Sequence, residues 1–519
     1  MNAEAPPPRL VDALRRQLAA EGTAVELIET HISWVLLAGD TAWKIKKPAR
    51  LGFLDFGSLE RRRHFCEEEL RLNRRYAPSI YLDVVAITGT PSAPRLGGDG
   101  EAIEYALRMR RFPPRALLSE QLADGTLQAA HLDALAQGLA ALHLGAAVAP
   151  PGGIWGSPGE VAGEARAVLQ RLQGQGTDVG ALQGWLDREV PRLAPLWQQR
   201  LDSGWVRECH GDLHLRNAVV LAEGVTAFDG IEFDPALRWI DVQSDIAFMA
   251  MDLHAHRRPD LAWRFVNAWL DDSGDHAGVP LLRFYIVYRA LVRAMVGRLH
   301  AEVAPEPSAD DYLALARRLA LQPPQPRLLV THGLSGSGKT FVTQALLQQA
   351  GALRLRSDVE RKRLFGLHAL QASRPSVPGG IYGAEANQRT YARLEALARA
   401  LLAADYAVIV DAACLRRAER ERLRDAAAAV GVPFTLLDCQ AAIDTLRQRV
   451  RARQQRGDDA SEAGLAVLEF QRTIDEPLAG DELADAIVVH TDGPLDVAAL
   501  AARWRSAGAA APRSSMPGA

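Results

Sequence analysis

Cysteine is scarce in this sequence of 519 residues: there are four, Cys66, Cys209, Cys414 and Cys439, and no two stand in a CxxC pair. That scatter excludes a zinc ribbon and a disulfide framework and leaves reduced, mostly buried thiols. An excess of one charge is missing too. The 60 Lys and Arg against 63 Asp and Glu give a formal net charge of −3, so no electrostatic footprint for nucleic acid or anionic lipid is present. Long apolar runs are lacking as well. A stretch such as Ala426 to Val430 falls far short of the roughly 20 residues that a membrane helix needs. The opening segment, Met1 to Pro8, has neither the basic start nor the apolar core of a secretory signal. These absences together predict a cytoplasmic protein with no nucleic-acid and no membrane partner. They carry nothing about oligomeric state.

What is present is the profile of a soluble globular chain, 48% apolar and 24% charged, long enough for two or three domains. Proline clusters at Ala304-Pro-Glu-Pro-Ser308 and Gln322-Pro-Pro-Gln-Pro326 bracket a short helical stretch, Asp311 to Ala320, and read as a linker because each proline removes a backbone donor. The expected division is a domain over 1–300, a linker over 301–325, a second domain over 326–507 and a frayed tail over 508–519. Within the first domain, strand-like runs (Trp34 to Leu37, Ala42 to Lys46, Val84 to Thr88, Tyr105 to Met109) accompany a charged helix, Leu59 to Tyr76. From about Leu127 to His300 the apolar period is helical, except for a strand-and-loop region between Val206 and Asp234. No internal repeat relates the halves, so two different folds are expected.

The second domain opens on a buried strand, Arg327 to His332, that feeds Gly333-Leu334-Ser335-Gly336-Ser337-Gly338-Lys339-Thr340. Glycines at these positions let successive amides face a bound phosphate. Lys339 supplies a cation for the β and γ phosphates, and the Thr340 hydroxyl is placed to ligate magnesium at the start of the following helix. Two later strands end in Asp358 and Asp411, where a parallel sheet presents carboxylates to its ligand crevice. Asp358 is a candidate to accept a proton from a substrate hydroxyl and Asp411 to hold the magnesium water shell, the alternative for each being a helix N-cap. The run Leu446-Arg-Gln-Arg449 and Arg451-Ala-Arg453-Gln-Gln-Arg456-Gly457 predicts an arginine-rich helix. Arg449 and Arg453 are its candidate lid arginines, or members of a solvated basic face. With the glycine loop, Ser357-Asp358, Asp411 and these arginines, the region resembles the small P-loop kinases of the gluconate, shikimate and adenylylsulfate kinase type and the zeta-toxin-like group. That resemblance implies an α/β fold with a parallel sheet and transfer of phosphate to a small acceptor.

In the first domain the informative string is Cys209-His210-Gly211-Asp212-Leu213-His214-Leu215-Arg216-Asn217, followed by Phe228-Asp229-Gly230. It resembles the aminoglycoside and choline phosphotransferases, whose fold is protein-kinase-like and bilobal. The resemblance implies that Asp212 orients the acceptor hydroxyl as a base, that Asn217 and Asp229 hold magnesium, and that His210 braces the loop. It also implies a strand lysine paired with a helix glutamate. Lys44 and Lys46 share one strand face. Lys44 fits better because Ala42 precedes it by two, and its partner is expected at Glu68, with Glu67 and Glu69 as neighbours of similar standing. Glu29-Thr30-His31-Ile32-Ser33 stands where a glycine loop is usual. Glu232 and Asp234 either enlarge an acidic acceptor site or cap the next helix, and Asp241 and Asp245 are expected to brace the catalytic loop.

The whole chain therefore resembles bacterial fusions of an aminoglycoside-phosphotransferase-like domain with an AAA-type or zeta-toxin-like domain. The expected architecture is an α+β bilobal protein-kinase-like domain followed by an α/β P-loop NTPase domain with a parallel sheet. The expected activity is ATP-dependent and magnesium-dependent phosphate transfer to the hydroxyl of a small molecule by two ATP-binding domains. The alternative is a protein-kinase-like domain regulated by a P-loop nucleotide switch.

Overall fold

Alternation along short strands builds the first sheet. The computed structural model describes residues 8–20, 22, 24–51, 54–298, 307–371, 373, 380–456 and 459–507; the expected tail 508–519, Gly457 and residues 301–306 of the expected linker lie outside them. One unit comprises Met1–Asp252 and Phe284–Ala316. Its six-stranded sheet runs in the order Val25–Glu29, Ser33–Ala38, Thr41–Lys46, Ala102–Arg110, Tyr81–Thr90, Ala93–Leu96, and every neighbouring pair is antiparallel. Trp34, Leu36, Ile45, Ile87 and Ala106 form one buried face with the helix Pro8–Ala20. Ala42, Leu107, Met109 and Tyr81 belong to a different cluster. Because strand side chains alternate, Lys44 and Lys46 stand on the Ala42 face. The charged helix forms over Leu59–Asn73 with Ser58 as its N-cap.

Downstream in this unit come the helices Ala129–Gly145, Pro158–Gly174 and Gly180–Asp202 and two small hairpin-like sheets. Of these sheets, Val206–Glu208 pairs with Trp239–Asp241, and Ala218–Leu221 pairs with Gly224–Ala227. The expected linker contains a helix, as anticipated, over Ala309–Leu321. It is not a solvated spacer, however. Tyr312, Leu313, Leu315 and Ala316 are buried, and the Tyr312 hydroxyl donates to Asp252 at 2.8 Å.

The other unit comprises Leu253–Arg283 and Arg317–Ala519. Its five parallel strands run in the order Leu353–Arg356, Val408–Asp411, Leu328–His332, Phe434–Gln440, Ala486–His490. Leu329, Ile409, Leu437 and Ile487 pack with Val342, Leu346 and Leu347 of the helix Lys339–Ala350 and with Trp504. Continuous apolar runs of this kind suit strands buried on both faces.

The expected boundaries differ from this division in two respects, one being that the expected linker is split between the units at Ala316 and Arg317. Residues 253–283, expected within the 1–300 domain, group with the second unit. The reason is a side chain that completes a sheet edge. Leu353–Arg356 is an edge strand, and Asn267, on the helix Pro259–Ser273, accepts from Arg354 N at 2.7 Å and donates to Ala352 O at 2.9 Å. The amide thus imitates the missing neighbour strand. Trp263, from the same helix, packs against the second unit's core. Among the described residues no helix is long and apolar enough to cross a membrane.

Asn267→Ala removes both edge bonds inside a site that is 2% exposed. The expected cost is about 1–3 kcal/mol for each group left unsatisfied, seen as a lower unfolding midpoint of the second unit together with faster amide exchange over 352–356. An unchanged transition would show that the helix is not part of that sheet.

Candidate functional site

The first unit gathers its chemistry where three loops leave short strands. Val206–Glu208 leads into the His210-Gly211-Asp212 loop, a 3-10 turn over Leu215–Asn217 follows, and the hairpin ending at Ala227 delivers Asp229. Gly211 adopts φ 85°, and a Cβ there would stand 2.6 Å from Leu237 O, so the turn requires glycine. His210 braces the loop as expected. Its Nε2 donates to Phe228 O at 2.8 Å and its Nδ1 accepts from Asp212 N at 3.3 Å. Burial lowers its pKa, in keeping with a neutral ring that both donates and accepts.

Asn217 Nδ2 donates to Asp212 Oδ2 at 3.1 Å, which brings the candidate base and the candidate metal ligand together. With its nitrogen engaged there, Asn217 turns its amide oxygen to other use. Burial works against the charge on Asp212, but His214, 3.3 Å away, and Arg293 outweigh it and hold the carboxyl well below the usual range. Asp229 sits in the left-handed region at φ 62°, and its N–H donates to the Tyr81 hydroxyl at 3.0 Å. Lys44 Nζ donates to Asp229 Oδ1 at 2.5 Å and to Glu69 Oε1 at 2.7 Å. Burial opposes the charge on Lys44, yet Asp229, Glu69 and Glu232 keep its pKa well above the ordinary value.

The partner of Lys44 is therefore Glu69 and not Glu68. Glu68 binds Arg71 at 2.6 Å and Arg238 at 2.9 Å. Successive helix residues point about 100° apart, so only one of three adjacent glutamates faces the sheet. The buried stripe Arg62, Cys66, Glu69, Asn73 follows helical spacing and was the signal for Glu69. Glu232 neither caps a helix nor faces an acceptor: it is buried against Lys46. Asp234 is the cap, accepting from Ala236 N at 2.9 Å. Asp245 braces the catalytic loop through Gly211 N at 2.9 Å and His210 N at 3.1 Å. Asp241 instead pairs with Arg200 at 2.6 Å.

In the second unit, Gly333, Leu334, Ser335, Gly336, Ser337 and Gly338 form the turn between Leu328–His332 and Lys339–Ala350. At Gly336, φ is 85° and a Cβ would lie 2.7 Å from Leu446 O. Lys339 folds over the loop and donates to Gly333 O and Leu334 O, each at 2.8 Å. Thr340 opens the helix, and one turn on Thr343 Oγ1 donates to Asp411 Oδ2 at 3.1 Å. Asp411 and Asp358 are not helix N-caps. Asp411 ends its strand, and Asp358 lies in the first turn of Ser357–Leu364, whose N-cap is Arg356.

The arginine helix forms over Ile443–Arg456. Arg449 is not poised as a lid arginine, because it donates to Thr491 Oγ1 at 2.8 Å, Thr491 O at 2.7 Å and Gly336 O at 3.3 Å. Arg453 donates to Ala463 O at 2.8 Å and, by charge, depresses the pKa of Lys339 after burial. Two participants went unread in the sequence. Gln471 accepts from the phosphate-loop amide of Ser335 at 2.8 Å. Arg356 joins Asp459 at 3.0 Å and Asp271 at 3.7 Å beside Asp358. Neither belongs to a motif, and both depend on distant chain segments meeting.

The donor sets fit magnesium, a hard cation that takes oxygen ligands. Asn217 and Asp229 offer an amide and a carboxylate oxygen in the first unit, and Thr340 and Asp411 a hydroxyl and a carboxylate in the second.

Glu69→Gln leaves Lys44 and Lys46 without their shared partner, so a loss of about 3–5 kcal/mol in the first unit's stability is expected; Glu68→Gln should cost less, because Arg71 is half exposed and Arg238 keeps Glu208. Chemical denaturation compares them, and equal losses would count against the assignment. A second expectation concerns acid. Burial would raise the Asp245 carboxyl, but the His143 hydrogen bond and neighbouring charges bring it to about 2 from 3.8. The folded value is the lower one, so its stabilisation is complete above the unfolded value and is lost as pH falls through about 2. Thermal melts of Asp245→Asn across that window should show a flatter acid limb than the parent chain.

The AAA domain family model matches residues 328–478. Among solved structures, the chain is similar to a sugar kinase from Janibacter sp. HTCC2649, with 20% identity over 35% of this chain and 96% of that one and a TM-score of 0.28. It is also similar to a choline kinase from Cryptosporidium parvum Iowa II, with 10% identity over 60% of this chain and 93% of that one and a TM-score of 0.39. Uncharacterized protein Rv2004c of Mycobacterium tuberculosis (strain ATCC 25618 / H37Rv) is 31% identical over 447 residues, covering 84% of this chain and 88% of that protein. Uncharacterized protein Mb2027c of Mycobacterium bovis matches to the same extent. With likeness at that level along most of both chains, the protein belongs to the family of these mycobacterial proteins, and the AAA domain model matches the stretch that holds Gly333 to Thr340.

Proposed function

We propose that the chain is an ATP-dependent phosphotransferase with two ATP-binding units, each moving the γ-phosphate to a hydroxyl of a small molecule. The observation that carries this reading is Lys44 joined at once to Glu69 and Asp229, with Asp212 held by Asn217 on the adjoining loop. These are a phosphate-orienting cation, metal ligands and a base in one place. Asn217 and Asp229 in the first unit, and Thr340 and Asp411 in the second, would hold magnesium, which would supply neutralisation of phosphate charge.

In the first unit Asp212 orients the acceptor hydroxyl and takes its proton. The hydroxyl oxygen forms a bond to the γ-phosphorus, the bond from that phosphorus to the bridging oxygen breaks, and ADP departs with the electron pair. A carboxyl held well below the usual range is ionised at neutral pH and is placed to accept a hydrogen bond that orients the acceptor hydroxyl. Lys44 holds the phosphates in line, which removes orientational freedom before reaction. In the second unit the phosphate-loop amides and Lys339 cradle the nucleotide, and Asp358 is the candidate acceptor base. Arg453, close enough to Lys339 to repel it, would balance charge on a transferring phosphoryl group.

The full chain is incubated with ATP, magnesium and a metabolite mixture, and products are followed by mass spectrometry. Asp212→Asn should remove one class of phosphorylated product and Lys339→Ala another, each by about a hundredfold or more. If both substitutions leave every transfer unchanged, the phosphotransferase reading is wrong.

A further inference from the structure

We propose that Lys46 and Glu232 form a second ion pair that keeps the Asp229 turn in register with Lys44, making Lys46 a positioning residue of the first unit's phosphate site and not a nucleotide ligand. The inference rests on reading that site as an ATP and magnesium site. Lys46 has a side chain 1% exposed and Glu232 one 5% exposed, so neither faces a ligand. Lys46 Nζ reaches Glu69 Oε2 at 2.6 Å and the carboxylate of Glu232, with the Phe56 ring 4.9 Å away as an apolar wall.

Glu69 is therefore divided. One oxygen serves Lys44 and the other serves Lys46, so the carboxylate plane has no rotation left that keeps both bonds. Lys46 then reaches past it to Glu232, three residues beyond Asp229. Between them, Gly230 is clamped by Asn73, whose Oδ1 accepts from Gly230 N at 2.7 Å and whose Nδ2 donates to Gly230 O at 3.3 Å. Glu69 and Asn73 lie one turn apart on the helix Leu59–Asn73.

This matters because Asp229 holds φ 62°, a conformation that a non-glycine residue keeps only when its surroundings over-determine it. Tyr81 and Asn73 secure the turn through the N–H groups of Asp229 and Gly230. Nothing in those two contacts anchors the chain that leaves it. That chain is held by Ile231 N donating to His210 O at 3.0 Å, by Arg238 Nη1 donating to Glu232 O at 3.0 Å, and by the Lys46–Glu232 pair, which ties it to the same carboxylate that orients Lys44. A buried ion pair is an expensive way to fill space, and apolar residues of equal volume often serve stability better. What charge adds here is direction: it ties the metal-binding turn and the phosphate-binding lysine to one reference atom group. The site is then assembled before any ligand arrives.

The test measures manganous ion binding to the full chain with ADP, by loss of the free-ion magnetic resonance signal, alongside the melting temperature. Asp229→Asn and Lys44→Met are the references for the site itself, and if both bind as the parent does, the ATP and magnesium reading fails. With the references weakened, Lys46→Met is expected to lower ion affinity about 10–100-fold. Glu232→Gln should match it, and the double variant should be no worse than either single one, since one pair is being removed. Should Lys46→Met not fold, Glu232→Gln carries the same expectation. Ion affinity unchanged in a folded Lys46→Met or Glu232→Gln chain, or losses that simply add in the double variant, would overturn the proposal and leave the site reading standing.

Discussion

One buried carboxylate, shared by two lysines, is the constraint on which the first unit's site depends. Glu69 is fully buried and meets Lys44 and Lys46 through different oxygens. Alone, any of these groups would lose its charge in such a place, because burial without a partner is among the costliest things a protein does. Together they keep their charges, and their positions follow. The sheet supplies the two lysines through strand alternation, the helix supplies the glutamate through its buried stripe, and the turn at Asp229 is drawn to where they meet. Geometry elsewhere in the unit is secondary to this meeting. The His210 ring and the Asp245 carboxylate do for the neighbouring loop what Glu69 does here, gripping backbone so that Asp212 and Asn217 stay side by side.

The second unit solves the same electrostatic problem with backbone in place of side chains. Its phosphate loop turns on glycines that press against Cys439 O and Leu446 O, leaving no room for a Cβ. The loop is pinned from outside by Arg449 and Gln471, so its shape does not rely on a ligand. Lys339 meanwhile lies across the carbonyls of its own loop, donating to Gly333 O and Leu334 O.

Much of this was legible in the residues, and the failures have a common cause. Strand runs such as Ala42 to Lys46 and the glycine loop declare themselves because their patterns are local: alternation of two, or a motif eight residues long. Lys44 was chosen over Lys46 with the help of that alternation, and Asp229 came from the family resemblance that Phe228-Asp229-Gly230 helps to carry. Glu68 was preferred to Glu69 because three identical neighbours cannot be separated without the phase of their helix, although the stripe through Cys66 and Asn73 held that phase. Glu232 was read as an acceptor-site or capping residue because its partner, Lys46, lies 186 positions away. Arg449 was read as a lid arginine or as part of a solvated basic face, and its bond to Thr491, 42 positions on, was out of reach. Gln471 and Arg356 carry no motif at all. Local chemistry can be read along a chain, whereas the pairing of single side chains across hundreds of residues depends on the folded path.

That path has a consequence for the order in which the molecule is made. The helix bearing Asn267 leaves the ribosome before Leu353–Arg356, the strand whose edge it covers, has been synthesised. At roughly 5–20 residues per second, several seconds or more separate the two. During that interval the helix has its apolar face, Trp263 included, without the sheet it belongs to. The first unit, whose residues end at Ala316, is complete on the nascent chain before that sheet exists. The two units alternate along the chain, with Leu253–Arg283 and Arg317–Ala519 belonging to the second.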